Sequence, residues 1–134
     1  MHALPCNYGY IPHTLSDDGD PVDVLVTSPV PLITGVVVRC RPLGMLKMTV
    51  EAVIDAKLLA VLINKLCNLY QEIHSHEDLP QFIRSQIAHF FEHYKELEEG
   101  KWVRIKGWDG VDTAKKEILD GIQRFNSAKD KPLF

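Results

Sequence analysis

The chain has 134 residues, 46% hydrophobic and 25% charged, with a formal net charge of −3. That length carries one domain with a single core, residues 1–134, and is too short for two. The balance excludes the broad basic field of a nucleic-acid binder, and no apolar run is long enough to span a bilayer, so neither nucleic acid nor membrane is an expected partner.

Residues 1–20 are rich in turn formers and read as irregular. They run into Asp17-Asp18-Gly19-Asp20-Pro21-Val22-Asp23, four aspartates within seven residues. Carboxylates this close repel one another unless something neutralises them. A hard divalent cation, Mg²⁺ or Mn²⁺, is the obvious neutraliser, because it takes oxygen ligands. Asp and Gly are also ordinary turn residues, so the aspartates alone do not decide. An EF-hand is excluded: it needs Gly at its sixth position and Glu at its twelfth, where counting from Asp18 gives Asp23 and Pro29.

Residues 22–27 read as a strand. Leu32 to Arg41 carries the β-branched run Val36-Val37-Val38, the mark of a buried strand. Leu43–Val50 and Ala56–Ile63 read as two more, with Pro42 and Gly44 as punctuation before the first of these. Asp55 and Lys57 are two apart, so beside or within that last strand they face the same way. The pattern then turns helical. Asp78 with Gln81 three residues on predicts a helix start. Phe82, Ile83, Ile87, Phe90, Phe91, Tyr94 and Leu97 follow at helical spacing, and Gly100 ends the run. Lys101–Lys106 reads as a short strand. Val111, Ala114, Ile118, Ile122 and Phe125 mark a second helix, and the tail from Ser127 is polar. Strands followed by helices predict an α+β fold. Cys6, Cys40 and Cys67 are odd in number and widely spaced. They form no zinc pattern and read as buried free thiols of a reducing compartment, so the cytoplasm is the expected location.

Several stretches, taken together, are more specific. Pro5-Cys6-Asn7-Tyr8-Gly9-Tyr10-Ile11-Pro12-His13-Thr14-Leu15 leads into the acidic turn. Arg39-Cys40-Arg41-Pro42, Leu46-Lys47-Met48-Thr49, Asp55-Ala56-Lys57, His89-Phe90-Phe91-Glu92-His93-Tyr94-Lys95 and Gly100-Lys101-Trp102-Val103 follow in order. In this order the chain resembles the soluble family I inorganic pyrophosphatases of bacterial type over nearly its whole length. The resemblance implies a small OB-like β-barrel with two helices packed outside, and Mg²⁺-dependent hydrolysis of pyrophosphate to two phosphates. It implies that Asp18, Asp23 and Asp55 are metal ligands and that Asp20 is the carboxylate beside the attacking water. Tyr8, Lys57, Tyr94, Lys95 and Lys101 are implied to hold phosphoryl oxygens. It further implies an N-terminal segment of opening barrel strands before the position of Met1, carrying more of the phosphate clamp. The domain is therefore expected to be N-terminally truncated, with open barrel edges.

The departures are as informative. Where the resembling family reads Asp-Glu-Ala-Gly-Glu-Asp-Ala-Lys, this chain reads Val50-Glu51-Ala52-Val53-Ile54-Asp55-Ala56-Lys57. Val50 replaces a metal-binding aspartate, and Val53 and Ile54 turn a polar loop apolar. Two expectations follow: an impaired pyrophosphatase, or a non-catalytic oligomeric scaffold that binds metal and phosphate. The apolar Val50, Val53, Ile54, Leu62 and Ile63 either pack inward or are covered by a second chain in a homo-oligomer. His89, Phe90, Phe91 and His93 form the helix face that the resemblance places at a subunit contact. His89-Phe90-Phe91-Glu92-His93 also matches the H-x-x-E-H pattern formally. A zinc site needs another protein ligand, and none stands out in the 41 residues after His93.

Overall fold

Strict side-chain alternation builds the sheet and decides what each face carries. The computed structural model describes residues 6–51, 53–94 and 102–133. Five strands, β1 (Asn7–Ile11), β2 (Val22–Thr27), β3 (Cys40–Val50), β4 (Val53–Leu62) and β5 (Val103–Asp109), form one sheet in the order β1-β2-β4-β3-β5. The β2–β4 pair is parallel, and the other three are antiparallel. The sheet is open, with β1 and β5 as its edges.

Leu25, Leu46, Met48, Leu59 and Val61 point to one face, where Ile87 and Phe91 of helix α1 (Gln81–Tyr94) cover them. Val22, Val24, Val26, Met45, Leu58, Ala60 and Leu62 point to the other. There they meet Ala114 and Ile118 of helix α2 (Val111–Ser127). Each strand feeds two cores because its period is two, and each helix presents one apolar stripe. The α+β class and the two outer helices are as expected.

Four local expectations are corrected. Residues 7–11 are a strand, because Tyr8 to Ile11 find partners in Leu25 to Val22 of β2. Residues 32–39 are not a strand; Pro29, Pro31 and Gly35 at φ 91 bend the segment, and Ile33, Val36 and Val37 are exposed. A β-branched run makes a strand only where a sheet partner takes its backbone. Pro42 and Gly44 do not separate two strands; β3 runs through them by a register shift, the device that lets a sheet accept proline. The α1 start moves from Asp78 to Gln81. Asp78 instead closes a capping box with Ser75 on a 3₁₀ turn at His76–Asp78. Its Oδ2 accepts from the backbone of His74 at 2.9 Å and of Ser75 at 3.2 Å, which lowers its pKa. The expected helix end at Leu97 and Gly100, like Lys101, lies outside the described residues.

The apolar 50–63 segment divides. Leu62 is buried in the core on the α2 side of the sheet, whereas Val53 and Ile54 at the β3–β4 hairpin are 58% and 65% exposed. Phe91, expected on a contact face, is buried in the core. The three cysteines are free and half-buried.

Gly44 is the tightest of the sheet's glycines among the described residues. A Cβ there would sit 2.6 Å from the Asp109 carbonyl oxygen and 2.7 Å from Cδ2 of buried His76. One neighbour is backbone, so β5 itself must shift. Gly44→Ala is expected to destabilise the fold by about 2 kcal/mol, as overpacking in a filled core does. Denaturant melts check it, and an unchanged midpoint would show that β5 yields without cost.

Candidate active site

Four polar side chains from three strands converge on the α1 face of the sheet. The pairing explains why. Tyr8 lies opposite Leu25 in the β1–β2 ladder, and Val24 lies beside Leu58 in the parallel β2–β4 ladder. Tyr8, Asp23, Asp55 and Lys57 therefore emerge on the same side as Leu25 and Leu59. At their centre is Lys57, only 7% exposed. Its Nζ donates to the Asp23 carboxylate at 2.6 Å and to the Tyr8 hydroxyl at 2.7 Å. The Asp55 carboxylate stands 3.2 Å away.

Two aromatic rings enclose this ammonium. The Tyr8 centroid is 5.2 Å from Nζ and the Phe91 centroid 5.7 Å, both within cation–π range. Burial alone would lower the pKa of Lys57. The hydrogen bonds to Asp23 and Tyr8 and the charge of Asp55 overcome it and hold the pKa above its ordinary value, so the ammonium stays charged. Desolvation pushes the Tyr8 hydroxyl up to about 12, against the pull of Lys57. Tyr8 accepts from Lys57 and keeps its own proton to donate.

Asn7 fixes the end of β1 next to Tyr8. Its Nδ2 donates to the Val26 carbonyl at 2.9 Å and to Ser28 Oγ at 2.8 Å, and its Oδ1 accepts from the Leu32 backbone at 2.8 Å. Asp18 and Asp20 stand exposed on the acidic turn that feeds β2. Asp18 Oδ1 accepts from the Asp20 backbone N–H at 3.0 Å, and Gly19 takes φ 88 to close the turn.

The structure thus brings Tyr8, Asp23, Asp55 and Lys57 into contact and sets Asp18 and Asp20 on the turn entering that cluster. Lys95, Lys101 and the side chain of Tyr94 lie outside the described residues. Sequence reasoning missed Phe91 as part of the site. Phe91 reads as one more apolar helix position, and nothing local signals which side chain it covers.

The cluster can hold a hard cation. Asp23 and Asp55 aim oxygens at one point, as their shared approach to Nζ shows. Among the described residues no group of three or more His, Cys, Asp or Glu gathers to hold a metal ion. The pair therefore does not suit a closed protein cage. Its hard oxygen donors have the chemistry of a site for a divalent cation that keeps several waters, beside the Lys57 ammonium that now pairs with them.

Comparison with known proteins identifies the family and the fold. A family model described as inorganic pyrophosphatase matches residues 1–126. The chain is 60% identical over 120 residues to an inorganic pyrophosphatase of Vibrio vulnificus (strain YJ016), covering 90% of this chain and 68% of that protein. It is 59% identical over 127 residues to one of Escherichia coli (strain K12), covering 95% and 70%. The fold is similar to the solved inorganic pyrophosphatase of Coxiella burnetii, with a TM-score of 0.87 at 50% identity over 90% of this chain and 72% of that one. It is also similar to that of Helicobacter pylori, with a TM-score of 0.89 at 40% identity over 92% and 73%.

Proposed function

The chain belongs to the inorganic pyrophosphatase family of enzymes, bacterial family I type, and from that premise we propose that it hydrolyses pyrophosphate to two phosphates with Mg²⁺, at a reduced rate. The observation that carries this is the Lys57 cluster, a buried cation with two hard carboxylates and a tyrosine hydroxyl on one sheet face. Pyrophosphate is a polyanion, and its hydrolysis needs charge neutralised and a water activated.

Mg²⁺, or Mn²⁺ in its place, supplies charge neutralisation and Lewis acidity when bound. In this reading Asp23 and Asp55 would hold the metal through oxygen, and Asp18, which the structure leaves on the exposed turn outside that pair, would be the further ligand that the resemblance implies. Asp20, exposed on the turn, accepts the proton of the attacking water. The Tyr8 hydroxyl donates to a phosphoryl oxygen. Lys57 faces the same anion with an ammonium that the two carboxylates hold in place. Tyr94, Lys95 and Lys101 complete the phosphate side. The reduced rate rests on Val50, Val53 and Ile54, apolar where the resembling family pattern is Asp, Gly and Glu. We further propose a cytoplasmic homo-oligomer, supported by the exposed Val53 and Ile54. No helix among the described residues is long and apolar enough to cross a membrane.

Phosphate release with Mg²⁺ tests the proposal. Turnover roughly a hundredfold below that of a relative with the full acidic loop is expected, since one electrostatic group commonly carries that much. A chelator should abolish it, and Asp23→Ala should weaken Mg²⁺ binding about tenfold in calorimetry. Absence of release above a protein-free blank would overturn the enzyme. Metal binding without release would favour the alternative, a non-catalytic scaffold for metal and phosphate, to which the apolar hairpin points.

A further inference from the structure

We propose that Arg124, at the far end of the chain, is a positioning residue that sets the path of the acidic turn. The proposal rests on the function proposed above in taking Asp18 and Asp20 as working carboxylates.

The turn has a closed neck. Thr14 is fully buried; its Oγ1 donates to the Ile11 carbonyl at 2.6 Å and accepts from the Val22 backbone at 3.1 Å, so it joins the chain before the turn to the first residue of β2. Inside the neck, Ser16 donates to the Asp20 carbonyl at 2.7 Å and Gly19 to the Ser16 carbonyl at 3.0 Å. These bonds close the turn, but they do not by themselves hold it against the sheet.

Helix α2 supplies the hold. The Leu15 N–H donates to the Gly121 carbonyl at 3.0 Å. Gly121 itself leaves no room: a Cβ there would meet Val22 Cγ2 at 2.8 Å, Thr14 Cβ at 3.2 Å and the Leu15 carbonyl at 3.3 Å. One helical turn on, Arg124 closes over the same segment. Nη1 donates to the Leu15 carbonyl at 3.1 Å and approaches Glu117 Oε1 at 3.4 Å, while Nη2 pairs with Asp17 Oδ1 at 3.1 Å.

Among the described residues, Arg124 is the only cation paired with Asp17, Asp18 or Asp20. Its ion pair with exposed Asp17 is worth little by itself. Its value lies in the planar fork, which holds a backbone carbonyl and a carboxylate at once in fixed directions, as an ammonium cannot. Asp18 follows Asp17 directly, so the fork fixes the side from which Asp18 and Asp20 approach the strand carrying Asp23. It also offsets part of the repulsion among four neighbouring aspartates.

Arg124→Ala and Arg124→Lys test this in the intact chain. Arg124 is one-third exposed on its helix, so both variants are expected to fold with near-normal melting. In Arg124→Ala, amide exchange at Ser16 and Gly19 should accelerate about tenfold, the scale of one lost charged hydrogen bond. Mg²⁺ binding by calorimetry should weaken roughly fivefold, and Arg124→Lys should recover only part of both losses. A residue that merely holds α2 to the sheet would lower the melting point and leave the Mg²⁺ titration of the folded variant unchanged. That result, or unaltered exchange at Ser16 and Gly19, overturns the proposal. If the wild type binds no Mg²⁺, the metal reading of the turn fails, and the exchange measurement alone decides the clamp. If Arg124→Ala does not fold, the comparison of wild type with Arg124→Lys carries the same two readouts.

Discussion

Lys57→Met is expected to destabilise the fold by about 3 kcal/mol in metal-free buffer, the low end of the cost of removing one partner from a buried ion pair. The low end applies because the Asp23 and Asp55 side chains remain 28% and 25% exposed and keep some water. Methionine matches the stem of the lysine in length and volume, so the loss is electrostatic rather than a cavity. Two carboxylates would then face one another with no cation between them, and the Tyr8 hydroxyl would lose its donor. The sign of the metal effect separates this account from simple damage. A hard divalent cation takes the same two oxygens, so Mg²⁺ should bind the variant more tightly than wild type and restore much of its stability. Phosphate release should nonetheless fall at least about a hundredfold, because the cation facing the phosphoryl group is gone. Melts with and without Mg²⁺, together with a release assay, check all three. A cost below about 1 kcal/mol without metal would mean that the ammonium does not balance the pair.

The parts of this site that were legible in the sequence are those set by local spacing. Asp55 and Lys57 share a face because they are two residues apart on one strand, and the acidic turn announces itself by composition. The contact of Lys57 with Tyr8 was not legible as geometry. It crosses from β4 to β1 through β2, and strand order is a property of the whole sheet. Tyr8 and Tyr10 were hidden in another way. Pro5, Gly9 and Pro12 make the stretch look like a turn, and only the partner residues of β2 turn it into an edge strand. The reverse error occurred at Val36-Val37-Val38, where residue type promises a strand and the sheet offers no neighbour. Arg124 lies 109 residues from the carbonyl it holds, a distance no periodicity reveals. The helices were easier, because the apolar stripe of α2 is written at its own spacing. The start of α1 slipped by a few residues because Asp78 caps the 3₁₀ turn before it.

Val50→Asp should raise phosphate release by at least about tenfold, and the sheet register explains why a hairpin position can do so. In the β3–β4 ladder Met48 lies opposite Asp55, and Val50 lies opposite Val53. Cross-strand partners share a face, so position 50 points to the side that carries Asp55 and Lys57. On its other flank Val50 pairs with Val103 of β5. An aspartate there would stand diagonal to Asp55, about 7 Å away by ordinary sheet spacing, within reach of one hydrated cation. It would add a hard ligand beside the two that converge on Nζ. One restored electrostatic group is worth up to about 4 kcal/mol of transition-state stabilisation. The gain is set near the lower end because Val53 and Ile54 leave the hairpin apolar. The exchange also has a cost. Val50 is half-buried against the α1 core, and removing that apolar contact should lower stability by about 1 kcal/mol. Activity and stability should therefore move in opposite directions, which a general improvement in folding could not produce. Tighter Mg²⁺ binding should accompany the faster turnover. If release and metal affinity both stay at wild-type values while stability drops, Val50 does not limit release, and the proposed reduction in rate loses its main support.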